Sequence, residues 1–125
     1  AYDLRFFTEE YPEYQCDLFN DAHLALLTSA ASGLPLDGNI AVDPSGEYLS
    51  VNSELVSICA PTGCQMCAHG STELAGTAMT AGTLWLEMSA PVKPGETITL
   101  DLMLFDVEDA IGDSVLLLDG FRWLQ

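Results

Sequence analysis

Apolar and polar residues alternate with a period of two in the clearest segments of the chain. In residues 97–105 every second side chain is apolar, which is the pattern of a half-buried β-strand. Residues 83–88 alternate in the same way, and residues 91–96 between these segments carry a Pro-Gly turn signal. Residues 114–119 form a short apolar run that is typical of a strand covered on both faces. The second half of the chain is therefore predicted to be β-structure.

The remaining predicted strands are shorter and are separated by turn residues. They are residues 2–7, 23–27, 39–42, 48–51 and a closing strand at 121–124. No amphipathic segment with helical periodicity exceeds two turns. The pattern predicts an all-β fold, an antiparallel, jelly-roll-like β-sandwich with long disulfide-bonded loops. Trp85 and Trp123 lie in predicted strands and are expected to fill its core.

Length and charge narrow the class of protein. The chain has 125 residues, of which 49% are hydrophobic, and a domain usually takes about 100–200 residues. We therefore expect residues 1–125 to form a single β-sandwich domain. Nineteen acidic residues face three basic ones, for a formal net charge of −16. This balance excludes a nucleic-acid partner and an anionic membrane surface, and it favours a cation as a small ligand. No apolar run is long enough for membrane insertion.

Four cysteines, Cys16, Cys59, Cys64 and Cys67, make an even number in a short chain. This predicts two disulfides and an oxidising compartment, with the pairing left open among three possibilities. The alternative is zinc bound by the last three cysteines and His69. It is weaker, because structural zinc sites draw on two separated pairs of ligands.

Two segments concentrate the negative charge, residues 9–21 with five carboxylates and residues 106–113 with four. Charges this close repel one another with little screening, and a hard divalent cation with six to eight oxygen ligands relieves that repulsion. The alternative is a solvated acidic face. The second segment is not an EF-hand, because its glycine stands at the seventh position of the loop and not at the sixth.

Several motifs, in a consistent order, are shared with one family. They include Phe6-Phe-Thr-Glu-Glu-Tyr-Pro-Glu-Tyr, Asn20-Asp-Ala, Ala90-Pro-Val-Lys-Pro-Gly-Glu and, above all, the stretch from Phe105-Asp-Val-Glu-Asp to Gly-Phe-Arg-Trp123. In these motifs the chain resembles the bacterial choice-of-anchor family of secreted and cell-surface modules, over nearly its whole length. The resemblance implies an extracellular β-sandwich and carries no expectation of catalysis.

Together with this resemblance, polar residues within apolar strand patterns point to a calcium site with a structural role, which clamps loops at one end of the sandwich. The predicted ligands are Glu10, Asn20, Asp21, Asp106, Asp109, Asp113 and Asp119.

The sequence thus predicts a secreted or cell-surface structural or adhesive module, stabilised by calcium and disulfides. It would self-assemble into a surface layer or filament, because the edge strands lack the lysines that block pairing. Its expected partners are other copies of itself, or cell-surface proteins and glycans. The alternative is a calcium-dependent carbohydrate-binding module, with Tyr11 and Tyr14 reaching solvent. No motif of a catalytic nucleophile, metalloprotease or phosphate loop is present, so we expect no enzyme.

Overall fold

The computed structural model describes residues 1–17, 20–62, 67–107 and 112–125. Within these ranges the chain forms eight β-strands and one short 3₁₀ helix, Ser71–Leu74. The strands are β1 Tyr2–Thr8, β2 Ala22–Thr28, β3 Leu49–Ser50, β4 Val56–Cys59, β5 Ala81–Thr83, β6 Leu86–Met88, β7 Thr99–Phe105 and β8 Ser114–Asp119. The predicted all-β class is confirmed; the jelly-roll connectivity stays a prediction.

The strands form two antiparallel sheets that pack against each other. In the larger sheet β1 is central: β5 and β6 pair with one of its edges, and β8 pairs with the other. β4 extends this sheet beyond β5. The smaller sheet has the order β3-β2-β7. β7 and β8, at the edges of their respective sheets, contact each other on one side of the sandwich.

Period-two alternation in β1 explains the position of the core. Tyr2, Leu4, Phe6 and Thr8 are buried, whereas the residues between them are half-buried. Leu4 and Phe6 pack into one cluster with Ala25 of β2 and with residues of β3, β4 and β5. The two sheets therefore meet across the even-numbered face of β1.

Two strand predictions were wrong, and a third, residues 83–88, is interrupted, because β5 ends at Thr83 and β6 begins at Leu86. Residues 121–124 form no strand, and residues 39–42 contribute only isolated bridges, one between Leu26 and Asn39 and one between Val42 and Tyr48. β4, Val56–Cys59, was not predicted from the sequence. It is only four residues long and pairs through an irregular register with β5, so its sequence carries little periodic signal.

Candidate functional site

One side of the sandwich, between β7 and β8, leaves core-facing side chains uncovered. β7 pairs with β2 so that Leu102 lies opposite the buried Ala25 and Leu104 lies opposite the buried His23. Both leucines are therefore on the core-facing side of the sheet. In the register with β1, Leu118 shares the face of the buried Leu4. These three leucines are nevertheless 39–46% exposed. We call this region the open side.

The open side contains a groove of about 290 Å³ between the two sheets. Tyr2, Leu100, Leu102, Leu118 and Phe121 are its apolar lining residues. Tyr2 is almost fully buried, its hydroxyl has no hydrogen-bond partner in the described part of the chain, and burial raises its pKa. The lining of the groove is therefore mainly apolar, with the charged Asp119 also on it.

The C-terminal segment extends this apolar surface. Phe121, Trp123 and Leu124 are 58–65% exposed, and the rings of Phe121 and Trp123 meet edge to face at 5.5 Å. The expectation that the tryptophans fill the core was wrong, since Trp85 is also 52% exposed. The physical reason for Trp123 is that its segment pairs with no strand in the described structure and is held mainly through Arg122.

Arg122 fastens this segment to the start of the chain. Its guanidinium donates two hydrogen bonds to the Asp3 carboxylate, at 2.8 and 3.0 Å, and a further one to Glu87. The backbones of Arg122 and Ala1 also exchange two hydrogen bonds of 2.8 Å. These bonds to the Asp3 and Glu87 carboxylates raise the pKa of Arg122.

Part of the predicted calcium set gathers at one end of the sandwich, which we call the acidic end. The buried Glu10 accepts a hydrogen bond of 2.7 Å from the backbone N–H of Asp21. Asp21, Asp106 and Asp113 line one cavity of about 310 Å³. This convergence follows from the pairing of β2 with β7 and of β1 with β8, which places Asp106 and Asp113 beside residues 9–21.

The other predicted ligands lie elsewhere. Asn20 lines a different cavity. Asp119 is at the far end of β8 from Asp113, a distance of roughly 20 Å at about 3.3 Å per residue. Asp109 is outside the described residues. Across the described ranges, no three side chains of His, Cys, Asp or Glu come together closely enough to hold a metal ion.

A second polar cavity of about 370 Å³ was not recognised in the sequence as a candidate site. At its base the buried Asp43 accepts hydrogen bonds from the Ser45 hydroxyl and N–H, the Glu47 N–H and the Ser53 hydroxyl. Burial raises the pKa of Asp43, but these four bonds outweigh it and hold the pKa below its usual value. Tyr48, 44% exposed, also lines the cavity. The Asp-Pro-Ser-Gly turn at residues 43–46 was the sequence signal for this region.

The cysteines follow the disulfide prediction. Cys59 and Cys67 are bonded to each other, with their Cα atoms 5.6 Å apart. Cys16 is likewise disulfide-bonded, and Cys64 lies outside the described residues. The bond between Cys59 and Cys67 removes two of the thiolates that the zinc alternative required.

Two further side chains, His23 and Tyr11, are fully buried or nearly so. His23 is 0% exposed; its Nδ1 donates to the Met103 carbonyl at 2.8 Å, and Nε2 has no partner among the described residues. Burial lowers the pKa of His23, against the smaller raising effect of the bond to Met103. Tyr11, expected to reach solvent, is only 2% exposed and donates to the Ala60 carbonyl at 2.5 Å.

The fold and disulfide define an all-β module with one open side and one acidic end. No helix in the described ranges has the length and apolar character to cross a membrane. The chain matches the model of the Choice-of-anchor L domain over residues 1–121 and belongs to this family. Membership makes it a secreted or cell-surface protein and confirms the resemblance seen in its motifs. No curated protein and no solved structure matches the chain.

Proposed function

We propose that this domain is a non-catalytic structural or adhesive module of the cell surface, which joins other polypeptides through its open side. The observation that carries the proposal is the exposure of Leu102, Leu104 and Leu118 at core-facing positions. Contiguous apolar surface of this kind marks association sites on soluble proteins. The family, one of surface modules, supports the general role.

The shape of the open side favours an extended polypeptide as the contacting element. β7 and β8 each have one edge without a partner strand in the described structure. An added strand would pair its backbone with such an edge and place every second side chain in the groove. The groove lining, with Leu100, Leu102 and Leu118, suits apolar side chains at those alternate positions.

A titration with synthetic peptides tests this proposal. The probe is a short peptide of alternating valine and threonine, compared with a peptide of the same composition in blocks. We expect the alternating peptide to slow amide hydrogen exchange in β7 or β8. Leu102→Lys should abolish this protection, and Leu36→Lys, at a fully exposed loop leucine, should leave it intact. Equal protection by both peptides, or none by either, in dilute monomeric protein would contradict the proposal.

We also propose that calcium stabilises the acidic end. Glu10 and Asp21 are already joined there, and Asp106 and Asp113 lie on the same cavity as Asp21. A cation drawn between these carboxylates would relieve their repulsion and would stabilise the folded state by mass action. Asp119 is too far away to take part.

Thermal melts in calcium, in magnesium and in EDTA test the calcium proposal. We expect calcium to raise the melting temperature by several degrees more than magnesium does. Asp113→Asn should remove that difference, whereas Asp119→Asn, a matched change at the other end of β8, should preserve it. Identical melting temperatures in calcium and in EDTA would contradict the calcium proposal and would mean that the acidic end is a solvated surface.

One observation favours carbohydrate binding as a second candidate function. The exposed ring of Tyr48 borders a polar cavity, an arrangement on which a sugar can stack and form hydrogen bonds. However, the Asn52 side chain is already hydrogen-bonded to the backbone of residues 16 and 17, and the Asp43 carboxylate is already hydrogen-bonded to Ser45 and Ser53. These groups are therefore less able to bind a sugar. Binding on a glycan array in calcium that is lost in Tyr48→Ala would support this candidate, and an array without binding would reject it.

A further inference from the structure

We infer that the partner at the open side is a second copy of this chain, with the two open sides facing each other about a two-fold axis. This inference rests on the proposed function of the open side and names its occupant. It is carried by three properties of the surface: its area, its geometry and its charge.

The apolar area of the open side reaches the lower bound for a stable dimer. The uncovered apolar side chains are Leu102, Leu104, Leu118, Phe121, Trp123 and Leu124, each between 39% and 65% exposed. Taking about 200 Å² for a large apolar side chain, they expose on the order of 600 Å² per copy. Two copies would bury about 1,200 Å² of this surface alone, which reaches the lower bound of specific, stable interfaces.

The open sides of two copies can face each other with matching geometry. In a two-fold dimer the same patch occupies both halves of the interface, so each edge strand meets its own counterpart running in the opposite direction. Antiparallel approach is also the pairing found between the named strands of each sheet. The unpaired edge of β7 or β8 can therefore gain backbone hydrogen bonds without any change in the sheets.

The charge distribution predicts how the association responds to salt. The core-facing leucines of β7 alternate with outward-facing residues, so Asp101 lies on the outer face of its sheet. Asp119, at the end of β8, lines the groove. The interface is thus mainly apolar, with Asp119 on the groove and with Lys93 and Glu96 on the cavity that Trp123 and Leu124 line. Each copy carries a net charge of −16. Two such copies repel at long range, and this repulsion falls as the Debye length shrinks to about 8 Å at physiological salt. Dimerisation should strengthen as salt is added.

Sedimentation equilibrium of the disulfide-bonded protein, at low and high salt, tests the inference. We expect a monomer–dimer equilibrium that tightens with salt. Leu102→Lys should weaken it by at least about tenfold, and Leu36→Lys should not change it. Leu124→Lys, near the C terminus and 61% exposed, provides a second test if the first variant fails to fold. A wild type that stays monomeric at high salt, or a dimer that neither open-side variant weakens, would overturn the inference.

The same samples separate this inference from the proposed function. A monomeric protein that still binds the alternating peptide overturns the second copy as the partner and leaves the association surface in place. A monomeric protein that binds neither peptide contradicts both.

Discussion

Ala25 and Leu102 lie directly opposite each other in the pairing of β2 with β7, yet Ala25 is fully buried and Leu102 is 40% exposed. Two residues on the same face of one sheet, one strand apart, thus differ completely in their surroundings. At the level of Ala25 and Leu102 the boundary of the packed core runs between β2 and β7, and the open side begins there.

This boundary predicts unequal costs for truncating two leucines. Leu4→Ala removes a fully buried side chain and should lower the free energy of unfolding by about 3 kcal/mol. Leu102→Ala should lower it by only about 1 kcal/mol in dilute monomer, since much of its surface is already in water. Urea unfolding at low protein concentration measures both. Equal losses would mean that the open side is packed in the monomer.

Asp43 should make the domain sensitive to acid. Its folded-state pKa is below the ordinary value, so as the pH falls the unfolded chain takes up this proton first. The stabilising contribution is present above about pH 4 and is lost as the pH falls through the folded-state pKa. Asp43→Asn should lower the melting temperature at neutral pH and flatten its decline in acid. The exposed Asp106→Asn, measured in EDTA, is the control, and an equal flattening there would refute the assignment.

His23 should contribute a second, separate pH dependence. Burial lowers its folded-state pKa, so protons bind the unfolded chain first below about pH 6.5. Stability is complete above this pH and declines as the pH falls below it. His23→Gln keeps a donor for the Met103 carbonyl and should remove this decline, as followed by urea unfolding at several pH values. The exposed His69→Gln should retain it; a wild type without any change near pH 6 would contradict the prediction.

Gly82 should be intolerant of any side chain. A Cβ at this position in β5 would lie 2.5 Å from the Phe7 ring and 2.9 Å from the Phe6 carbonyl oxygen. Gly82→Ala should therefore destabilise the domain by about 1–3 kcal/mol. Gly70→Ala, where nothing lies within 4 Å, is the matched control. Thermal unfolding of the two variants compares them, and similar melting temperatures would show that β5 can shift away from β1.

The alternation of residues was sufficient to predict the long strands but not what covers them. In β7, Leu100, Leu102 and Leu104 read as one buried face, and only Leu100 packs against the core. Periodicity identifies the face that is apolar, whereas burial depends on the presence of another element opposite it. For the same reason Trp85 and Trp123 could not be placed from their sequence neighbours.

The candidate calcium site could be predicted in part. Residues of the two acidic segments do meet, because the pairing of β1 with β8 brings Asp113 to the backbone of Glu9. Asp119 could have been excluded from the sequence alone, since the predicted strand 114–119 separates it from Asp113 by its whole length. The role of Asp43 was hidden, because a turn composition does not reveal that its aspartate is buried and bonded to a serine ten residues later.

The paired backbones of Ala1 and Arg122 have a mechanical consequence. β1 and β8 run antiparallel, and both strands end at this point, so tension applied between residues 1 and 122 pulls across the ladder and not along it. The hydrogen bonds between the strands would then break one after another, beginning beside Asp3 and Arg122, instead of sharing the load. A domain held by both of these positions would unfold gradually, by sequential rupture of the β1–β8 hydrogen bonds. The salt bridge between Arg122 and Asp3 would be the first contact to break.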